Sequence, residues 1–409
     1  MKEYRSLKYA NRPFFLRPAF MAVLLLLSFE GIAGSFHGVE KLQIHGFISQ
    51  GYALTSDNNL VGDNDSEHGS LNMTEIGLNA TYQHSNYLSF ALQGLYRNLG
   101  EVDEGARIDY ATIDWTAASW ESSEWGIRLG RVKNPMGFYN ETRDVAFTRP
   151  SIILPQGIYY GRSRNLLHST DGGQLYLNIQ ADFGFFELQG NAGRAENDNK
   201  ELKMAIFGFD TPGELVSKET NYWGRIKFDS ISGDLELALS YADVSLDYKP
   251  GQGDPFAAGN TNYRPIVVSA RYSWPSVILT AEYLRQRNEF SDFGSLFPDV
   301  SPTTESYYLQ GEYRFNRQFQ GVVRFDTHYL NKDDRYGKKT AQLTGGPAHR
   351  SFTEDWVVGL RWSPNWSWQV QAEYHRVNGT SWLSGQANPD PSELEKRWNL
   401  FTLMASFRF

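Results

Sequence analysis

Six arginines and one lysine fall between residues 128 and 164: Arg128, Arg131, Lys133, Arg143, Arg149, Arg162 and Arg164, with Tyr139 among them. A guanidinium fork meets carboxylate or phosphate oxygens through two parallel hydrogen bonds, so a group of forks is chemistry for holding anions. The same side chains could instead brace their own segment through Glu141 and Asp144. Between Asn134 and Thr170 four arginines stand against those two acids, a local excess of +2 in a chain of formal net charge -8. Solute contact and structural bracing both stay open at this point.

The elements around this stretch read as strands. From Leu42 onward the chain repeats about ten residues with apolar or aromatic side chains at every second position, followed by a break. Period two over that length suits a tilted strand that crosses a bilayer. In "YLSFALQGLYR", Leu88, Phe90, Leu92 and Tyr96 share one face, and Ser89, Ala91, Gln93 and Arg97 the other. The pattern predicts sixteen strands, near 41–55, 70–83, 87–98, 107–118, 124–133, 172–180, 183–193, 220–229, 234–248, 264–274, 277–287, 304–315, 318–330, 353–362, 366–376 and 398–409.

The breaks sort by length. Short ones (84–86, 230–233, 275–276, 316–317, 363–365) alternate with long ones (56–69, 134–171, 194–219, 249–263, 288–303, 331–352, 377–397). A transmembrane barrel has short turns at one rim and long loops at the other, whereas a soluble sandwich has no reason to sort them. Aromatics gather beside the short turns, at Tyr82, Tyr87, Trp120, Trp125, Phe315, Phe319, Trp362, Trp366 and Trp368, as an interfacial girdle would. The expected fold is all-β: a transmembrane antiparallel up-and-down barrel of about 16 strands.

Composition narrows the function. The chain of 409 residues has no cysteine, which excludes disulfide and thiolate chemistry. Lys2, Arg5, Lys8, Arg12 and Arg17 precede the apolar run "AFMAVLLLLSF" and the small residues "GIAGS", so residues 1–35 read as a cleaved signal peptide and 36–409 as one barrel domain. Removing 1–35 takes away five Lys/Arg and two Asp/Glu and leaves a charge near -11, which argues against a nucleic-acid surface on electrostatic grounds.

Charged residues also alternate onto one strand face: Arg97, Arg128, Arg225, Lys227, Arg271, Arg314, Arg324, Arg361 and Arg408, with Glu75, Asp114, Glu187, Glu236, Glu282, Glu312, Asp326 and Glu373. On a lipid-facing surface each would cost roughly 2 to 4 kcal/mol at mid-depth, so they belong inside, most of them as wall ion pairs. Sixteen strands leave room for an aqueous channel. The third long break is the longest, and "FYNETRDVAFTRPSIILPQGIYYG" is too rich in aromatic and β-branched residues to be disordered. Folded into the lumen, it would cover Phe138, Tyr139, Phe147, Ile152, Ile153, Leu154, Ile158 and Tyr159 and narrow the channel.

The stretch "WGIRLGRVKNPMGFYNETRD", with its G-R-V-K-x-P-x-G pattern, resembles the Gram-negative outer-membrane porin superfamily, as do "LQIHGFISQGY" and the terminal "SFRF". Within it, the chain is most similar to sixteen-stranded porins of the phosphate-selective type and their uncharacterised relatives. The resemblance implies a passive channel in the outer membrane, surrounded by lipid and lipopolysaccharide, usually a homotrimer, whose third loop constricts the pore. On the matching positions it points to Arg131, Lys133 and Tyr139 through Arg149. The mixed lumen charge departs from a dense basic ladder, so phosphate selectivity is not carried over.

The expected function is passive diffusion of small hydrophilic solutes with a modest anion preference, with Arg128, Arg131, Lys133, Tyr139, Arg143, Arg149, Arg162 and Arg164 at the constriction. The alternative is a receptor whose Tyr139, Tyr159, Tyr160, Phe207, Phe209, Trp382 and Trp398 stack on a ligand at the external loops, the competing use of those rings being loop packing. An enzyme is not expected: there is no G-x-S-x-G, and the eight histidines are scattered. No cofactor or metal is expected either. Asp63, Asp65 and Glu67 lack the full spacing of a calcium loop and read as a solvated acidic turn.

Overall fold

A computed structural model describes residues 41–61, 68–100, 104–161, 164–195, 199–218 and 220–409. The leader (1–35), the acidic turn at Asp63, Asp65 and Glu67, and Arg162 lie outside the described residues.

Among the described residues the strands are β1 (Leu42–Thr55), β2 (Ser70–Ser85), β3 (Leu88–Asn98), β4 (Glu104–Trp120), β5 (Ser123–Lys133), β6 (Ser169–Ala181), β7 (Gly184–Ala195), β8 (Glu214–Ser217), β9 (Asn221–Ser230), β10 (Leu235–Lys249), β11 (Gly259–Ser273), β12 (Val277–Ser291), β13 (Thr303–Arg314), β14 (Phe319–Tyr329), β15 (Phe352–Trp362), β16 (Trp368–Gly379) and β17 (Arg397–Arg408). Each pairs antiparallel with its neighbours, and β1 pairs with β17, so the sheet closes. Sixteen of these form the barrel, as the period-two pattern predicts. Closure matters energetically, because it leaves no row of unpaired backbone groups in an apolar surround. No helix among the described residues is long and apolar enough to cross a membrane.

The seventeenth strand is unexpected. β8 is four residues long and pairs with the upper end of β10, Leu246↔Ser217 through Lys249↔Glu214, where β9 has already ended. It covers an edge that β10 would otherwise expose. Several strands also run further than expected at the long-loop end: β11 begins at Gly259 and β12 ends at Ser291. There the backbone ladder continues after the apolar alternation has stopped, because hydrogen bonding needs a partner strand and the alternation needs a lipid face.

Burial alternates along the strands. On β16, Gln369, Gln371, Glu373 and His375 are buried while Tyr374 is exposed. Ile226, Leu239, Val268, Leu309, Val323 and Leu360 form an exposed aliphatic band. Exposed rings border it at the short turns, with Tyr87, Trp120, Phe183, Trp274, Phe315 and Trp366, and towards the long connections, with Tyr222, Tyr241, Tyr283, Tyr307 and Trp356. An apolar belt between two aromatic girdles is the surface a bilayer requires.

Candidate functional site

The connection from β5 to β6 is drawn together at its base by two asparagines. Asn134 donates its backbone N–H to His168 O at 2.8 Å and accepts from Thr170 Oγ1 on its side chain at 2.7 Å. Asn140 Nδ2 donates to Asn134 O and Leu167 O at 3.0 and 2.8 Å. The segment closed off in this way includes a turn of 3-10 helix, Ala146–Thr148, and ends in a short helix, α1 (Arg164–His168).

From that base the segment hydrogen-bonds to buried side chains on β9, β10, β12, β14 and β16. Gly137 N donates to Ser240 Oγ on β10 at 3.0 Å, and Arg225 on β9 donates to Gly137 O at 3.0 Å. Glu282 on β12 accepts from Phe138 N, Tyr159 Oη, Tyr308 Oη and Ser269 Oγ at 3.0, 2.6, 2.8 and 2.5 Å. Glu373 on β16 accepts from Ile152 N at 2.6 Å, and Arg324 on β14 donates to Ser151 Oγ and Ile153 O at 2.8 and 3.0 Å. Gly137 has φ 57°, in the left-handed region, and a Cβ there would lie 2.4 Å from Tyr159 Oη. Glycine is therefore required where the chain leaves the wall.

The expected site residues are mostly engaged as braces. Arg128 Nε meets Asp114 at 2.8 Å, with its guanidinium over the Tyr176 ring at 4.5 Å. Lys133 Nζ meets Asp109 at 2.8 Å and Glu141 O at 2.7 Å. Tyr139 is buried edge-on to Tyr159, with ring centroids 5.6 Å apart; burial, only partly offset by Arg271, pushes its hydroxyl up to about 12. Arg149 grips Glu75 through Nη2 at 2.7 Å and Nη1 at 3.3 Å, and Nη1 also donates to Arg143 O at 2.9 Å. Arg143 Nη2 donates to Tyr159 O at 2.7 Å.

Arg164 pairs with Asp144 and, at 3.2 Å, with Asp109. His168 Nε2 joins that cluster 2.8 Å from Asp109. Burial pushes the Asp144 carboxyl up, but Arg164 and His168 outweigh it and hold the group well below the usual carboxylate range.

Arg131 stands apart. It clasps Asp171 at 2.7 and 2.9 Å and donates to Ile108 O at 3.0 Å. Strand parity places it on the side of exposed Leu129, opposite Arg128.

Two cavities flank the segment. One, of about 110 Å³, lies towards the long connections and is lined by Arg97, Arg143, Arg149 and Glu75 among apolar side chains. The other, of about 490 Å³, lies at the short turns and is lined by Arg317, Arg361 and Arg408, with no acidic side chain among the described residues. Arg149 joins them: it lines the first, and its carbonyl accepts from Arg361, which lines the second. Phe147 also lines the second cavity, beneath the Arg408 guanidinium at 4.4 Å.

Sequence reasoning placed Arg361 and Arg408 inside but did not group them with Arg317. The signal was three arginines at neighbouring short turns. It missed Asp109 because β4 bulges opposite Gln93 and Gly94, which breaks the parity on which facing was judged.

The aromatic residues considered for ligand stacking mainly pack against one another. Trp382 and Trp398 lie 5.4 Å apart and are both buried, and Phe207 on α2 (Asn199–Phe207) stacks on Phe256 at 4.5 Å. Phe209 is half exposed.

No protein-family model and no curated protein sequence matches the chain. Solved structures do match in fold. The outer membrane channel DcaP of Acinetobacter baumannii aligns with a TM-score of 0.58 at 10% identity, covering 90% of this chain and 97% of that one. The anion-selective porin of Comamonas acidovorans aligns at 0.56 and 14% identity, covering 90% and 99%. A trimer form of OmpT, an outer membrane protein of Vibrio cholerae, aligns at 0.52 and 11% identity, again covering 90% and 99%. At such identities the likeness speaks for architecture, and the architecture of this chain is that of the outer-membrane porins.

Proposed function

We propose that the protein is an outer-membrane porin whose 134–168 segment lies across the lumen as its constriction, passing small hydrophilic solutes by diffusion with a modest preference for anions. The observation that carries this reading is the position of Arg149 between two cavities, each lined, among the described residues, by more guanidinium groups than carboxylates. Rings of one charge sign at a narrowing favour the opposite ion, and a low-dielectric wall strengthens the effect. The contacts of one segment with β2, β9, β10, β12, β14 and β16 support its crossing the interior, since these strands are spread around a closed sheet.

On this reading Arg128, Lys133, Tyr139, Arg143, Arg149 and Arg164 hold the constriction in shape, and Arg143 and Arg149 also face solute. Arg131 is left out. The trimer form of the Vibrio OmpT supports a homotrimer here, embedded among lipid and lipopolysaccharide after removal of residues 1–35. The carboxylate and histidine groups, Asp109–His168–Asp144 and Asp355–His375–Glu373, serve as braces, and no catalytic step is assigned to them.

Liposome swelling tests the reading. Vesicles carrying the refolded protein swell in arabinose and faster in an anion of similar size, gluconate; no swelling in either would refute it.

A further inference from the structure

Two connections from opposite points of the barrel meet at its long-connection end. The connection from β7 to β9 and the connection from β16 to β17 are separated by β9 to β16 on one side of the closed sheet, and by β17 with β1 to β7 on the other. Their side chains nevertheless touch. Glu201 on α2 is 1% exposed, and its Oε2 accepts from Ser384 Oγ at 3.0 Å and from Gln386 Nε2 at 2.7 Å. One turn further along the helix, Met204 Cε lies 3.0 Å from where a Cβ on Gly385 would stand. A helix that belongs to one wall and is bonded to a loop of the facing wall bridges the mouth between them.

Each half of the bridge is fixed to its own side. Leu202 is buried in one apolar cluster with Tyr248 and Phe293, and Phe207 packs on Phe256, Tyr248 and Phe293 with ring centroids 4.5, 5.0 and 5.3 Å away. Lys203 Nζ donates to Thr211 O and Gly213 O at 2.6 and 3.0 Å, within the same connection. On the facing side Trp382 packs on Trp398 of β17, and Ser381 N donates to Thr353 Oγ1 of β15 at 3.0 Å. Asn388 donates to Asn59 O and accepts from Asn59 N, at 2.7 and 3.0 Å. The join at Glu201 is different in kind, because it is polar. Hydrogen bonds to a carboxylate exchange for bonds to water at small net cost, whereas parting the Phe207 rings would expose aromatic surface.

We infer that α2 and residues 384–386 form a lid across the long-connection mouth, which parts at Glu201 and swings on the Phe207 cluster. The structure describes the closed lid. The inference rests on the channel reading for its consequence, closure of the pore; the movement itself does not require conduction.

The chain has no cysteine, so introduced pairs report without background. A Cβ on Gly385 would lie 3.9 Å from Met204 Cβ, within the span of a disulfide. The pair Met204→Cys and Gly385→Cys is expected to cross-link under mild oxidant, and the cross-linked channel to lose its conductance in a planar bilayer until dithiothreitol restores it. Spin labels on Ala205→Cys and Pro389→Cys, both at exposed positions, should give two distances by pulsed dipolar resonance. Glu201→Ala should raise the ratio of the longer to the shorter distance roughly tenfold. A pair that does not cross-link, conductance that is equal in the oxidised and reduced states, or one distance unmoved by Glu201→Ala would overturn the lid. Two distances with no conductance in either redox state would sink the channel and spare the moving lid, and conductance with a single distance would sink the lid alone.

Discussion

Tyr159 Oη donates to Glu282 Oε2 at 2.6 Å while accepting the backbone N–H groups of Phe138 and Tyr139 at 2.8 and 3.0 Å. One phenol thus ties the exit of the β5–β6 segment to its own return limb and to the wall. Tyr159→Phe removes all three bonds and leaves buried partners behind, at about 1–3 kcal/mol. The expected outcome is a noisier channel in single-channel recordings and a lower urea midpoint for the refolded barrel.

Gly137 is the second half of that anchor. An added Cβ would meet Tyr159 Oη at 2.4 Å and Glu282 Oε1 at 2.7 Å, on a backbone at φ 57°. Gly137→Ala should therefore destabilise the barrel by about 1–3 kcal/mol. Gly190→Ala, where a Cβ meets nothing within 4 Å, should be near neutral in the same urea titration.

How much of this was legible in the sequence follows from what each residue answers to. Lipid contact imposes period two, so Phe90, Leu92, Val268 and Tyr374 could be faced correctly from spacing alone. The same parity put Arg128, Asp114, Arg97 and Glu75 on one face, where the structure pairs Arg128 with Asp114 and Arg97 with Glu75. Asp109 did not, because a bulge shifts the register by one, and Arg131 was grouped with residues of the opposite face. The β5–β6 partners of Glu282 and Glu373, Phe138, Tyr159 and Ile152, lie more than a hundred positions away, and no local pattern encodes which carboxylate meets which backbone N–H.

The Asp144–Arg164 brace sets a pH expectation. The Asp144 carboxyl sits well below its ordinary value despite burial, because of Arg164 and His168. A depressed carboxylate contributes stability that is present above its unfolded value, about 3.9, and is lost as pH falls through the lower folded value. Channel noise should therefore stay flat from neutral pH down through the ordinary carboxylate range and rise only in stronger acid. Asp144→Asn should be noisy throughout.

The exposed belt makes a separate prediction. Leu309, 60% exposed in mid-strand, should meet acyl chains, so Leu309→Arg should cost about 2–4 kcal/mol of insertion free energy. Trp366→Arg, at a short turn, should cost only about 0–1 kcal/mol. Folding titrations into vesicles measure both, and equal costs would contradict a bilayer around the barrel.

The short-turn mouth should contribute to ion selectivity through Arg317, Arg361 and Arg408. Arg317 lies in the turn and takes no part in holding the segment, which makes Arg317→Glu the cleanest charge change. It should lower the anion-to-cation permeability ratio roughly twofold, since the local potential scales with the charges lining the mouth.

The central claim is an aqueous channel narrowed by a segment with a positive excess, and the reversal potential of the wild-type protein in a planar bilayer under a potassium chloride gradient tests it most directly. The account predicts steady conductance with a reversal potential displaced towards that of chloride. Absence of conductance would contradict the channel, and displacement towards the potassium potential would contradict the role given to Arg143 and Arg149.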